Sequence, residues 1–151
     1  MTIKEFIIRE TDRAFSNFME AARKVPADKV DWKPLDNGRS VLDQAQECAL
    51  CPLWVPGILD ARGFDPAGMG AMEEAKKGLT SLDACEAAGK ANLETMNAAI
   101  NAFPDSDMDV EIDLPWGHYT LRDVMTFPSW NLTYHFGQVA YIQTLYGDHE
   151  M

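Results

Sequence analysis

The sequence predicts an all-α protein: a four-helix bundle with one long crossover and a small β-hairpin between its third and fourth helices. Three observations predict it. Four Ser/Thr-x-x-Asp/Glu strings each introduce a long segment. Three of those segments repeat apolar residues in alternating steps of three and four. One short stretch before the last segment alternates with a period of two.

The four strings are Thr2-Ile3-Lys4-Glu5, Ser40-Val41-Leu42-Asp43, Thr80-Ser81-Leu82-Asp83 and Thr120-Leu121-Arg122-Asp123. In each, the hydroxyl can accept from the backbone N–H three residues on, while the acid faces the positive end of the helix. Pro26, Gly63, Pro104 and Gly147 supply the stops. The expected helices are 2–25, 40–60, 80–103 and 121–146. At ~22 residues each spans roughly 33 Å, enough for a bundle.

Ile3, Ile7, Ala14, Phe18, Ala21 and Val25 form the apolar seam of the first helix, interrupted near Glu10-Thr11. Leu82, Cys85, Gly89, Leu93, Met96, Ile100 and Phe103 form that of the third. Leu121, Met125, Pro128, Leu132, His135, Val139, Ile142 and Tyr146 run unbroken along the fourth. Such seams mean helices packed at shallow angles. Pro128 lacks an N–H and is expected to kink its helix.

Between helices three and four, Asp107, Asp109, Glu111 and Asp113 alternate with Met108, Val110, Ile112 and Leu114, as in a strand with one wet face. Pro115-Trp116-Gly117 reads as a turn and His118-Tyr119-Thr120 as a short return strand. Residues 61–79, rich in Gly, Ala and Met, read as a mobile crossover. No internal repeat interrupts what is expected to be one domain over residues 1–151.

A chain of 151 residues buries roughly 68–70% of its unfolded surface, so a sizeable core is available. The net charge is −11, and residues 91–151 set nine acidic residues against Arg122 alone. That field is expected to disfavour nucleic acid and anionic membrane surfaces as partners. No apolar run approaches 18 residues, and the N-terminal residues lack a signal-peptide pattern. Three cysteines, Cys48, Cys51 and Cys85, point to reduced thiols and a cytoplasmic location. Cys48 and Cys51 have CxxC spacing without a second pair, which argues against a zinc knuckle. Cys48 and Cys85 fall on apolar seams as core filler.

Polar groups on apolar stripes mark the candidate site. His135 lies in the unbroken seam of helix four, with Asn131 one turn before it and Gln138 three residues after. An i, i+4 pair on one helix can present two side chains to one ion, although a histidine bonded to a core neighbour has the same spacing. Glu47 shares its stripe with Cys51, Trp54 and Ile58, where a carboxylate needs a cation, a metal or a proton. Gln44 and Gln46 leave open a polar edge with Glu47 at its rim. His118 reads as a turn histidine near the bundle mouth, and His149 as a solvated tail residue.

Three pieces carry a resemblance. Asp31-Trp32-Lys33-Pro34 followed by Gly38-Arg39-Ser40-Val41, the hairpin Leu114-Pro115-Trp116-Gly117-His118 followed by Thr120-Leu121, and Asn131-Leu132-Thr133-Tyr134-His135-Phe136-Gly137-Gln138 running on to Tyr141 and Tyr146-Gly147 resemble the DinB-like (DinB/YfiT) four-helix-bundle superfamily. The likeness covers nearly the whole chain in order and spacing. It implies a divalent metal held by three histidines, whose positions fall here on Glu47, Asn131 and His135. Only His135 keeps the residue type, and Phe136 replaces the arginine of the H-R-G-Q ending. One nitrogen and two oxygen donors imply weaker binding of zinc, nickel, iron or manganese, with a lean towards harder ions.

The resemblance implies a metal-dependent hydrolase or thiol S-transferase acting on a small-molecule substrate, with a homodimer as its implied assembly. The alternative is a metal-free bundle that binds a small ligand or a partner, with Trp54, Trp116, Trp130 and Tyr134 lining a pocket or interface. No independent general base is legible.

Overall fold

The computed structural model describes residues 1–149. Its elements are α1 (Ile3–Lys24), α2 (Val41–Leu50), α3 (Trp54–Ala61), α4 (Pro66–Lys76), α5 (Leu82–Ala102), β1 (Glu111–Leu114), β2 (Gly117–Thr120) and α6 (Leu121–Leu145). The bundle consists of α1, the α2–α3 pair, α5 and α6. In it α1 packs chiefly on α6, and α2 on α5.

The helix starts follow the hydroxyl strings, with one shift. Thr2 with Glu5 and Thr120 with Asp123 close full capping boxes, and Ser40 Oγ accepts from Asp43 N. At the third start Ser81, not Thr80, is the cap, accepting from Ala84 N. The helix expected over 40–60 is two helices. Pro52 has no N–H, and the chain passes Cys51–Leu53 as a 3-10 turn before α3 resumes. Arg62 ends α3 in the left-handed conformation, one residue before the expected glycine stop. The crossover contains a helix that periodicity did not announce, α4, opened by Asp65 with Pro66 at its first position. Further on, α6 runs through Pro128 as one helix.

The hairpin is shorter than the alternation suggested. Asp105–Asp107 form a 3-10 turn, and the carbonyls of Met108 and Val110 accept from Arg122 N and Leu121 N at the start of α6 instead of pairing in a sheet. Antiparallel pairing then joins Glu111 to Thr120 through Leu114 to Gly117. Gly117 has φ +153, and a Cβ there would meet the Tyr119 ring at 3.0 Å, so the tight turn favours glycine.

The core is continuous. Phe18, Val41, Val55, Met96, Ile100, Leu121, Met125, Leu132 and Val139 are fully buried. Three polar side chains share that depth: Thr11 on α1, whose hydroxyl donates to Ile7 O at 2.9 Å, Gln44 on α2 and His135 on α6. A buried polar group is costly unless hydrogen-bonded, so the fold draws attention to what they bond.

Candidate functional site

The site forms where α2 faces α6. The cap at Ser40 starts α2 so that Arg39, Asp43 and Glu47 follow one another at turn spacing, with Gln44 one residue further round. On α6, Asn131, His135 and Gln138 share the facing stripe. His135 is 2% exposed and Asn131 4%.

All three metal-position residues meet at one oxygen. Glu47 Oε1 lies 3.1 Å from His135 Nε2 and accepts from Asn131 Nδ2 at 2.8 Å. The other carboxylate oxygen, Oε2, accepts from Arg39 Nη1 at 2.7 Å. The His135 bond, together with Asn131 and Arg39, holds the Glu47 carboxyl far below the usual carboxylate range despite its partial burial.

The other face of the imidazole is also engaged. His135 Nδ1 lies 2.7 Å from Gln138 Oε1 and 3.1 Å from Gln44 Oε1. The turn of the two amides decides the tautomer: with their oxygens on Nδ1 the ring proton sits there and the Nε2 lone pair faces Glu47, whereas an amide N–H on Nδ1 puts the proton on Nε2, where it donates to Glu47. With the proton on Nδ1, the 3.1 Å approach of Nε2 and Oε1 takes a second ring proton or a cation between the two atoms; with the proton on Nε2 it is an ordinary hydrogen bond. Beside them Asn131 Oδ1 is buried without a partner.

This donor chemistry is compatible with a divalent cation in one respect and poor in another. An imidazole nitrogen fixed through its other ring nitrogen, a carboxylate and an unsatisfied amide oxygen are usable ligands. Among the described residues, however, no group of three or more His, Cys, Asp or Glu stands close enough to hold a metal. The carboxylate is already half-neutralised by a guanidinium. The set fits a weakly held ion.

Sequence reasoning named Glu47, Asn131, His135 and Gln138 but missed Arg39, Asp43 and Lys76, and it took Gln44 for part of a polar edge. Arg39 Nε donates to Asp43 Oδ2 at 2.6 Å, and Lys76 Nζ reaches Asp43 Oδ1 at 3.3 Å. Burial raises the Asp43 carboxyl, but Arg39 and Lys76 outweigh it and leave it below the ordinary value. The spacing Arg39, Asp43, Glu47 was the signal available for the first two.

The remaining candidates lie elsewhere. His118 is exposed on the hairpin between Asp113 and Glu111, and His149 is exposed beyond α6. Burial pushes the thiols of Cys48 and Cys51 well up and that of Cys85 to about 11, so none is an activated nucleophile. The four proposed pocket aromatics do not line one cavity. Trp130 stacks on Tyr134 at 5.5 Å on the outside of α6, Trp116 packs on Phe64, and Trp54 is half-buried on α3.

No known family profile matches the sequence. No curated protein matches it significantly. Solved structures do share its fold. A DinB-like protein of Bacillus subtilis superposes with a TM-score of 0.66 at 14% identity, over 96% of this chain and 94% of that one. YfiT from Bacillus subtilis, described as a probable metal-dependent hydrolase with an unusual four-helix bundle topology, gives 0.74 at 12% identity, over 95% and 87%. The colibactin self-resistance protein ClbS, in complex with double-stranded DNA, gives 0.69 at 16% identity, over 93% and 95%. The chain therefore has the DinB-like four-helix-bundle fold to which its motifs pointed.

ClbS corrects the expected partners. A small molecule, no nucleic acid, no membrane and a homodimer were expected. A protein of this fold crystallised with DNA removes the exclusion of nucleic acid. The physical reason is that net charge is an average, whereas a phosphate backbone responds to the local field. All basic residues but Arg122 lie in the first 90 positions, so the two halves of the chain differ in charge. The neighbours lend no support to the small molecule or the homodimer. Among the described residues no helix is long and apolar enough to cross a membrane.

Proposed function

We propose that Glu47, Asn131 and His135 hold a divalent cation, and that the chain is a metal-dependent enzyme of the hydrolase or thiol-transferase type. The observation that carries this reading is the 3.1 Å approach of His135 Nε2 and Glu47 Oε1 beside the unpartnered Asn131 Oδ1. A cation there answers all three atoms. The solved neighbour described as a probable metal-dependent hydrolase supports the reading through fold alone.

When bound, such an ion supplies Lewis acidity that lowers the pKa of a water or thiol, so that it attacks near neutral pH. The chain's own residues do the rest. Gln138 and Gln44, with their amide oxygens on Nδ1, would hold the His135 proton there and leave Nε2 free to donate its lone pair. Glu47 contributes the anionic oxygen, and Asn131 the neutral one. Arg39 on Glu47 Oε2 draws charge from the carboxylate, which weakens the grip, while the two oxygen donors lean towards harder ions.

A second reading rests on that same Arg39 contact. If the guanidinium and a second ring proton on His135 satisfy Glu47, the bundle is metal-free and acts by binding a partner. Elemental analysis of untagged protein, followed by cobalt(II) titration read by visible absorption, separates the two. The first reading expects about one ion per chain or a cobalt band at about one equivalent, lost in Glu47→Ala and His135→Ala variants that keep their helical circular dichroism. Neither metal nor a cobalt band in the wild type overturns it in favour of the second.

A further inference from the structure

We infer that α4 is a hinged cover beside the Glu47 site, held closed by a latch of Lys76 on Asp43. The inference rests, for its functional meaning, on the site reading above; the latch itself does not need a metal.

Three observations carry it. First, α4 is the least embedded helix of the chain: among its described side chains none is buried, and Met72 and Lys76 alone are half-buried. Gly68 and Gly70 lie inside it, and a Cβ on either would meet nothing within 4 Å. A helix with exposed glycines and, among its described side chains, none buried opens at low free energy. Second, short segments flank it: Arg62 in the left-handed conformation followed by Gly63 on one side, and Lys77-Gly78 on the other. These are positions that can absorb a change of backbone angle.

Third, the half-buried Phe64 and Leu79 pack on the core at either end of α4, and the polar contacts that hold it lead to the site. Lys76 Nζ reaches Asp43 Oδ1 at 3.3 Å, and just beyond α4 Gln46 Nε2 donates to Leu79 O at 2.9 Å. Asp43 spends its other oxygen on Arg39 Nε, and Arg39 Nη1 continues to Glu47 Oε2. A single chain of charged contacts therefore runs from the crossover through Lys76, Asp43 and Arg39 to Glu47 and the buried His135. Glu47 is the open edge of the site, its side chain 27% exposed against 2% for His135. Asp43 serves two cations, so releasing Lys76 leaves Asp43 to Arg39 alone and strengthens that pair in its competition with Glu47 for the guanidinium. Opening of the cover and accessibility of the carboxylate are thereby coupled.

Amide hydrogen exchange on the full-length protein tests this. Lys76→Met is expected to speed exchange across residues 66–76 by about fivefold while α1, α5 and α6 keep their protection. Lys76→Arg restores the wild-type pattern, a rescue that distinguishes the latch from general loss of packing. Gln46→Leu, which removes the neighbouring tether without touching a charge, is expected to loosen 77–80 more than 66–76. Unchanged exchange over 66–76 in Lys76→Met, or loosening spread evenly over the bundle, overturns the latch. The cobalt titration reports separately: a latch without a cobalt band leaves the cover and removes the metal site, and a cobalt band without a latch does the reverse.

Discussion

His118 shows how a single residue's surroundings set its chemistry. It sits on β2 opposite Asp113, with Nδ1 2.8 Å from Asp113 Oδ1 and Nε2 3.3 Å from Glu111 Oε2. The bond to Asp113, then that to Glu111, raises its pKa above the ordinary value. A folded value above the unfolded one means that the interaction favours the folded chain fully below about pH 6.5 and fades as pH rises through the folded value. The group is exposed, so the effect on stability is small, but the titration itself is measurable. An NMR titration of His118 is expected to show a raised midpoint that drops in Asp113→Asn and drops less in Glu111→Gln. A midpoint indifferent to both would show that the carboxylates do not hold the ring.

The same scale explains what was legible at the candidate site. His135 and Glu47 stood out because each breaks an apolar stripe, and a stripe is a local property of the chain. Asn131 was reached only through the resemblance and the spacing of one helical turn. Gln44, buried at 1% exposure, was illegible because an amide beside Gln46 on a half-polar helix has no pattern that distinguishes core from rim. Lys76 bonds to a residue 33 positions away, and no periodicity encodes that.

Among the elements, the long helices were readable and their interruptions less so. Seams and caps are sums over many residues, which is why α1, α5 and α6 fall within a residue or two of expectation. The break at Pro52 and the extra helix α4 depend on one proline and one Asp65 cap, signals too short to outweigh the surrounding pattern. Gly89 illustrates a constraint that lies between elements. It stands on the seam of α5, and a Cβ built there would approach Phe15 of α1 to 2.3 Å and the Ala49 backbone of α2 to 3.4 Å. Phe15 is itself buried, so it has little room to move. Ala gains up to about 1 kcal/mol of helix propensity over Gly, whereas overpacking a core costs about 1–3 kcal/mol. Gly89→Ala is therefore expected to lower the urea midpoint, and Phe15→Leu in the same chain to recover part of the loss. A more stable Gly89→Ala would mean that the three helices are less closely packed than this geometry requires.

Over the whole molecule, charge is distributed so that attraction is short-ranged and repulsion is long-ranged. The acidic stretch before α6 draws a cation from several parts of the chain: Lys4 of α1 to Asp105, Arg62 at the end of α3 to Asp107, Arg122 of α6 to Asp109, and His118 of β2 to Asp113. These pairs are at contact distance, well inside the Debye length of about 10 Å at 0.1 M salt, and exposed pairs contribute only about 0–1 kcal/mol each. The excess of eleven negative charges acts across the molecule at separations beyond that length, where screening is strong. Salt should thus remove more repulsion than attraction. Raising sodium chloride from about 10 mM to about 300 mM, a span over which the Debye length falls from about 30 Å to below 8 Å, is expected to raise the thermal midpoint. Chloride and sodium lie near the middle of the ion series, so the rise reports screening and not surface exclusion of the salt. A midpoint that falls would mean that the contacts gathered by the acidic stretch outweigh the net charge, and that the ionic ties between α1, α3 and α6 are a principal support of the bundle.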